Sequence, residues 1–316
     1  MNQTNNSIFV SSDVITEQSN GATVYKSKRN PDDCILTCYP LFEGIELVYY
    51  DMHAQTCEIE LIQGREILEV NHCQEGRVEF EYKNGEYLYL SSGDLSIQKR
   101  GKDIRNSYFP IGHYHGISVM IDMTRVPRCL SCVLDDVFVT PTELVKKFCS
   151  DKTYTIMREN KSIEHIFSEL YSVPGNIRKG YLKVKVLELL LFLSALEITN
   201  DEERKYFSRS QVIATKQAKE YLIRHIDEQI TIPQLADMFG ISQTTLKICF
   251  KGVYGDTIHT FINNYKMQTA AVLLKETDRS VLDIACSVGY TNGSKFAGAF
   301  KKFMNVTPNE FRKLYV

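Results

Sequence analysis

Thr231-Ile-Pro-Gln-Leu235-Ala236-Asp-Met-Phe-Gly240 and Ser280-Val-Leu-Asp-Ile284-Ala285-Cys-Ser-Val-Gly289 are one pattern written twice, 49 positions apart. Each copy opens on a hydroxyl residue with Gln234 or Asp283 three places on, the signature of a capping box that satisfies orphan N–H groups at a helix start. Each closes on a glycine, the residue that takes the left-handed conformation needed to stop a helix and turn sharply. A second helix follows each glycine. Leu246, Cys249, Phe250 and Val253 form its inward stripe in the first copy, and Phe296, Ala299, Phe300 and Phe303 do so in the second, now 50 positions on. Gly255 and Asn305 end these helices.

Two helices packed across a glycine turn make a helix-turn-helix, with small Ala236 or Ala285 letting the second helix cross closely over the first. That second helix has the width of a DNA major groove, and its outer N-terminal residues face base edges. The stretch from Thr257 to Lys275 reads as one long helix holding the two units apart; on one face of DNA the separation is about 34 Å, one helical turn.

The outward residues of the first second-helix are Gln243, Thr244, Lys247 and Ile248. Gln bonds adenine bidentately, Lys reaches guanine or phosphate, and Thr or Ile touches a thymine methyl. A solvated helix face explains Gln243 and Lys247 as well, but not Ile248. In the second copy the matching positions are Gly293, Ser294, Lys295 and Gly298, of which Ser294 and Lys295 are the base-contact candidates. Two glycines there remove atoms that bond bases and cost about 1 kcal/mol each within a helix, so this unit is expected to position more than specify. Phosphate contacts are expected from helix N-termini and from Lys251, Lys266, Lys301, Lys302 and Arg312, any of which is otherwise ordinary surface charge.

Working outward, the chain has 316 residues with 37 Lys+Arg against 39 Asp+Glu. That balance of −2 argues against a phosphate binder until it is divided. Residues 1–207 hold 23 basic and 30 acidic side chains, and residues 208–316 hold 14 and 9. An acidic first part joined to a basic reader is the expected pattern of a nucleic-acid binder with a separate partner module. The charge-dense run Thr199-Asn-Asp-Glu-Glu-Arg-Lys205 reads as the joint, with the linker at 201–207.

The first part reads as antiparallel β, a barrel or a sandwich. Val78, Phe80 and Tyr82 alternate with Glu79 and Glu81, and Asn84-Gly85 favours a two-residue hairpin before Tyr87–Leu90. Ser92-Gly93-Asp94 makes a further turn before Leu95–Ile97, and Ile117–Ile121 supplies a later strand. Helices follow: one capped by Thr140-Pro141-Thr-Glu143, one over Ser162–Val173 and one over Arg178–Ile198. The last is apolar on most sides and must bury itself, against the sheet or against its copy in a second subunit. Its densest stretch, Val184–Leu196, is too short to span a bilayer and carries Lys185 and Glu188. The N-terminus has no basic start and apolar core, so neither signal nor transit peptide is expected and the protein is expected to be cytoplasmic.

Nine cysteines without an export signal suit reduced thiols, not disulfides. Cys34, Cys38, Cys129 and Cys132 would make a four-thiolate zinc site, but small buried hydrophobes are the plainer reading. Cys249 and Cys286 fall at core positions of their helices. His113-Tyr-His115 puts two imidazoles on one side of a strand, yet no carboxylate follows at a spacing that adds a third ligand, so turn or rim histidines are expected and no metal, cofactor or catalytic residue is assigned.

The repeat resembles the AraC family of bacterial transcription regulators. The resemblance is carried by Leu235-Ala236, Gly240-Ile241-Ser242, Leu246, Phe250-Lys251, Gly255, the run Ile284-Ala285-Cys286-Ser-Val288-Gly289-Tyr290, Phe296, Phe300-Lys301-Lys302-Phe303, Thr307-Pro308 and Phe311-Arg312, and covers about the last hundred residues. The first half, with its Gly93-Asp94 turn, resembles more loosely the cupin-type sensing domain of many such regulators, especially those grouped with siderophore-responsive ones. What the resemblance implies is a cupin-like sensing barrel at 1–125, a helical segment at 126–200 suited to dimerisation, and an all-α DNA-binding domain at 208–316 with two helix-turn-helix units. It further implies a sequence-specific regulator of transcription, double-stranded DNA and a small-molecule effector of unassigned identity as partners, RNA polymerase as a candidate partner, a homodimer, and no membrane. The rival from another class is a cupin-type metal-dependent enzyme with a DNA-binding appendage, which needs three or four His or Glu ligands where His113 and His115 offer two. An architectural DNA-bending protein is disfavoured by the distinct outward residues of the two helices.

Overall fold

The computed structural model describes residues 9–10, 14–57, 59–62, 64–100, 104–128, 139–150, 154–158, 161–197 and 207–314. They divide into two compact units, Met1–Tyr206 and Phe207–Val316. Residues 201–206 of the expected linker, and Cys129 and Cys132, lie outside the described residues.

The first unit is built on antiparallel strands: β1 (Phe9–Val10), β2 (Val14–Ser19), β3 (Ala22–Ser27), β4 (Cys34–Phe42), β5 (Ile45–Met52), β6 (Glu60–Leu61), β7 (Ile67–Tyr82), β8 (Glu86–Ser91), β9 (Leu95–Arg100), β10 (Ile104–Tyr108), β11 (Tyr114–Asp122) and β12 (Tyr154–Met157). Hydrogen-bonded neighbours run β12-β9-β7-β11-β5-β4-β3-β2. The long β7 serves two sets of partners: Ile67–Gly76 pairs with β9 and β11, and its outer half pairs with β8 and β10. The expected Asn84-Gly85 hairpin joins β7 to β8, with Gly85 at φ +83° and its N–H donating to Tyr82 O at 3.0 Å.

The path does not close on itself among the described residues, in contrast to the expected barrel. One sheet face is covered instead by the helices α1 (Pro141–Cys149), α2 (Lys161–Tyr171) and α3 (Arg178–Ala195). Leu47, Val70, Ile97, Ile117 and Val119 pack there with Leu144, Phe148, Phe167, Leu170, Leu182, Val186 and Leu189. Helices laid on a sheet bury its apolar face without requiring closure. The opposite face has its own core, including Leu36, Val48, Phe80, Leu90 and Tyr114. Thr140 starts α1 without a side-chain cap bond, so the expected capping box is not made. In α3 the inner face is buried against the sheet, and buried Lys185 is held by Glu169 at 2.7 Å and by Glu188. Val184, on its other side, is 63% exposed.

Two cysteine expectations are corrected. Cys34 and Cys57 form a disulfide, because β4 and β5 pair with Cys34 opposite Met52 and the chain after β5 returns over the start of β4. A bonded Cys34 has no thiolate to give zinc. Cys286 is exposed, whereas Cys249 is buried as expected.

The second unit is helical: α4 (Arg209–Arg224), α5 (Ile232–Met238), α6 (Gln243–Tyr254), α7 (Ile258–Glu276), α8 (Val281–Ser287), α9 (Gly293–Met304) and α10 (Pro308–Lys313). Ser208, Thr231 and Thr307 each make a full capping box, with Gln211, Gln234 and Glu310 respectively. Ser280 accepts from Asp283 N at 3.1 Å, but Asp283, one methylene shorter than Glu, bonds the Ser280 hydroxyl and not its backbone N–H. The long α7 contributes Met267, Ala270 and Leu274 to a core shared with Ile284, Ala285, Val288, Phe296 and Phe300.

Candidate nucleic-acid interface

The two glycine turns are built alike. Ile241 N donates to Ala236 O at 3.0 Å, and Tyr290 N donates to Ala285 O at 2.9 Å. Gly240 and Gly289 hold φ of +62° and +82°, the left-handed region where a Cβ is strained. Leu235 and Ala236 of α5 are buried with Leu246, Cys249 and Phe250 of α6; Ile284 and Ala285 of α8 are buried with Phe296 and Phe300 of α9. Each inner stripe anchors its second helix and so fixes what that helix turns outward.

On α6, Gln243, Thr244, Lys247, Ile248 and Lys251 are all exposed. Ile248 is 43% exposed, an apolar side chain on an otherwise polar face. Ser242 caps the helix by accepting from Thr245 N at 3.1 Å. Lys247, Ile248 and Lys251 share a shallow depression with Ile232 and with Thr257 at the start of α7. The lining of this depression is mainly apolar, with Ile258 and His259 of α7 completing it beside the two lysines.

On α9, Ser294, Lys295, Gly298, Lys301 and Lys302 are exposed. Asn292 caps the helix by accepting from Lys295 N at 3.0 Å. A Cβ built on Gly298 meets nothing within 4 Å, so that position leaves a bare strip of backbone between Ser294 and Lys302.

Two residues assigned to phosphate from sequence are partly engaged within the unit. Arg312 donates from Nε to Leu274 O at 3.5 Å and through a terminal nitrogen to Arg279 O at 2.5 Å, joining the last turn of α7 to the connection that follows it. Lys266 is half-buried, with Nζ 5.9 Å from the centre of the Tyr290 ring, and desolvation pushes its ammonium below the usual lysine range. Spacing alone gave no sign of either engagement, since Leu274 lies in another helix and Arg279 and Tyr290 in connections between helices.

His113 and His115 stand in the first unit with His53, which the sequence reading missed. One ring nitrogen from each of the three lies within 4.8 Å of the others.

Residues 235–314 match a family model described as a helix-turn-helix domain. Over 175 residues the chain is 36% identical to the xylose operon regulatory protein of Escherichia coli (strain K12), a match covering 51% of this chain and 44% of that protein. The match thus spans less than half the length of that relative. The regulatory protein SoxS of Salmonella typhimurium is 31% identical over 105 residues, 33% of this chain and 96% of that one. Among solved structures, a probable AraC family transcriptional regulator from Rhodopseudomonas palustris is 27% identical, covers 33% of this chain and 97% of that chain, and superposes with a TM-score of 0.30.

Proposed function

The chain belongs to the AraC family of transcription regulators, and from that premise we propose that it binds specific double-stranded DNA through its C-terminal unit and sets transcription of nearby genes in response to a signal. The observation that carries this reading is the pair of outward faces on α6 and α9, each held by a buried stripe. Gln243, Thr244, Lys247 and Ile248 read base edges, and Ser294 and Lys295 add a smaller contribution from α9. Lys251, Lys301 and Lys302 grip phosphates, with Lys266 and Arg312 doing so only through donors left over from their contacts inside the unit.

The domain division proposed is a cupin-like sensing region at 1–125, a helical segment at 126–200, a linker at 201–207 and the DNA-binding domain at 208–316. A small-molecule effector acts on the first of these by binding two conformations with different affinity, since a ligand that binds both equally shifts nothing. Support for dimerisation comes from the exposed side of α3 around Val184. RNA polymerase is a further partner, the action is regulatory and not catalytic, and the place of action is the cytoplasm. Among the described residues no helix is long and apolar enough to cross a membrane.

Genome-wide mapping of bound sites supplies the operator. Binding of Lys247→Ala is then measured on a panel of single-base operator variants. The expected result is a change of preference at one base pair, about 1–3 kcal/mol, with the salt dependence nearly intact. A uniform loss over all sequences, with a shallower salt slope, assigns Lys247 to a phosphate. Absence of any preferred site in the mapping overturns the reading.

A further inference from the structure

The register of β5 and β11 makes a four-residue patch that neither strand makes alone. Asp51 lies on β5 with His53 just past the strand's end, His115 lies on β11 with His113 just before the strand's start, and His115 lies opposite Asp51. Residues two apart on a strand point to the same side, and directly paired residues share a face. The four side chains therefore stand together on one face, and Glu75 of β7 sits beside His115 on the other flank. This face carries Leu47, Ile117, Val119 and Ile121 where the helices cover it. At the end of the strands the same rows turn from apolar to imidazole and carboxylate.

The polar atoms converge. Asp51 Oδ1 is 2.8 Å from His53 Nε2 and 2.9 Å from His115 Nε2, and Glu75 Oε2 is 3.3 Å from His113 Nε2. Asp51 Oδ1 and His115 Nε2 are both shut off from solvent, yet they lack the alignment of a hydrogen bond despite their short separation. Shielded polar atoms aimed at one point without a bond between them cost stability unless something satisfies both.

We propose that His53, His113, His115 and Asp51 bind a divalent transition-metal ion of the zinc class, with Glu75 orienting His113. Three imidazoles and a carboxylate are the donor set of zinc and its neighbours, not of calcium or magnesium, which take mainly oxygen. Ligands bound at about 2.0–2.2 Å around one tetrahedral ion lie roughly 3.3–3.6 Å apart, so the two rings that stand 2.8 and 2.9 Å from Asp51 Oδ1 need only small outward movements to admit the ion. The ring nitrogens, within 4.8 Å of one another, close the remainder by small rotations. The histidine side chains are 46%, 37% and 32% exposed, which leaves room for them. Each ring binds as neutral imidazole, through the nitrogen that carries no hydrogen and with its one proton on the other nitrogen; any imidazolium releases its second proton to solvent, and no electron transfer or co-reactant is involved.

The site lies wholly in the first unit and does not depend on the DNA-binding reading. The test is titration of Zn²⁺, and separately Co²⁺, into tag-free full-length protein stripped with a chelator, read by calorimetry and by the visible absorption of bound Co²⁺. The expected result is one ion per chain. His53→Gln and His115→Gln each weaken binding at least tenfold, Asp51→Asn weakens it about 10–100-fold, and Cys286→Ser, which removes an exposed thiol, leaves it unchanged. Thermal melting of each variant checks that the first unit is folded. Failure of the wild-type protein to bind either ion overturns the proposal, and so does one-to-one binding that survives the His53→Gln/His115→Gln double substitution.

Discussion

Lys266 Nζ lies 2.7 Å from where a Cβ on Gly289 would stand. The same Cβ would approach Asp227 O and Ile226 O at 2.9 Å. Gly240, the matching glycine of the first copy, meets nothing within 4 Å. The repeat is thus symmetric in backbone conformation and asymmetric in surroundings, because the second turn is pressed against the end of α4 and the side of α7. Gly240→Ala is expected to cost about 1–2 kcal/mol, the left-handed strain alone. Gly289→Ala adds a clash with backbone, and roughly 2–5 kcal/mol in all is expected. Denaturant unfolding of the helical unit measures both; equal losses would show that the second turn relaxes away from its neighbours.

Gly252 and Gly298 point in opposite directions although both sit within recognition helices. A Cβ on Gly252 would come within 2.2 Å of the Phe207 ring, which is buried. Gly252→Ala is expected to displace that ring and destabilise the unit by about 1–3 kcal/mol.

Gly298→Ala, by contrast, fills open space on a helix, where alanine is favoured by about 1 kcal/mol. A higher melting temperature is expected, with sequence preference unchanged if the new methyl group, which can touch only a thymine methyl, does not reach the bases. A shift in preference on an operator panel would mean instead that the bare backbone of α9 is itself close to DNA.

Much of the second unit was legible in the sequence because its determinants are local. Thr231 with Gln234, the paired glycines and the Leu246/Phe250 and Phe296/Phe300 stripes all act within a few residues, so spacing carries them. What escaped was nonlocal. Nothing between Asp51 and His115 in the sequence announces that β5 and β11 pair in register, and looking only beyond His113 for a third ligand missed Asp51-x-His53 in an earlier strand. The Cys34–Cys57 bond escaped for the same reason. Strand spacing left a barrel or a sandwich open and the resemblance implied a cupin-like barrel; spacing gives strand number but not whether helices will cover an open face. Ser280 and Asp283 mark the limit of the local reading too, since one missing methylene changes the partner of the carboxylate.

The last prediction concerns pH and joins His72 to Glu46. His72 of β7 is buried and stacked on Phe167 of α2, with ring centres 4.3 Å apart and planes 10° from parallel. Burial lowers its pKa from 6.5 to about 4. Between those values the unfolded chain holds the proton and the folded chain does not, so this group's contribution is complete above about pH 6.5 and is lost as pH falls toward 4. Glu46 of β5 behaves oppositely. Burial raises its carboxyl from 4.5 to about 7, with Arg125 and Arg65 opposing and Asp122 adding to the rise. There the folded chain keeps the proton longer, so stability falls as pH climbs from about 4.5 to 7. Each effect amounts to about 3 kcal/mol at full extent. Because the windows overlap with opposite sign, the first unit of the wild-type protein is expected to melt at nearly the same temperature from pH 4.5 to 6.5. His72→Gln should leave the Glu46 slope exposed, making the variant relatively more stable in acid; Glu46→Gln should do the reverse. Melting curves at half-unit pH intervals decide it, and parallel slopes for the two variants would show that neither group titrates as its burial requires.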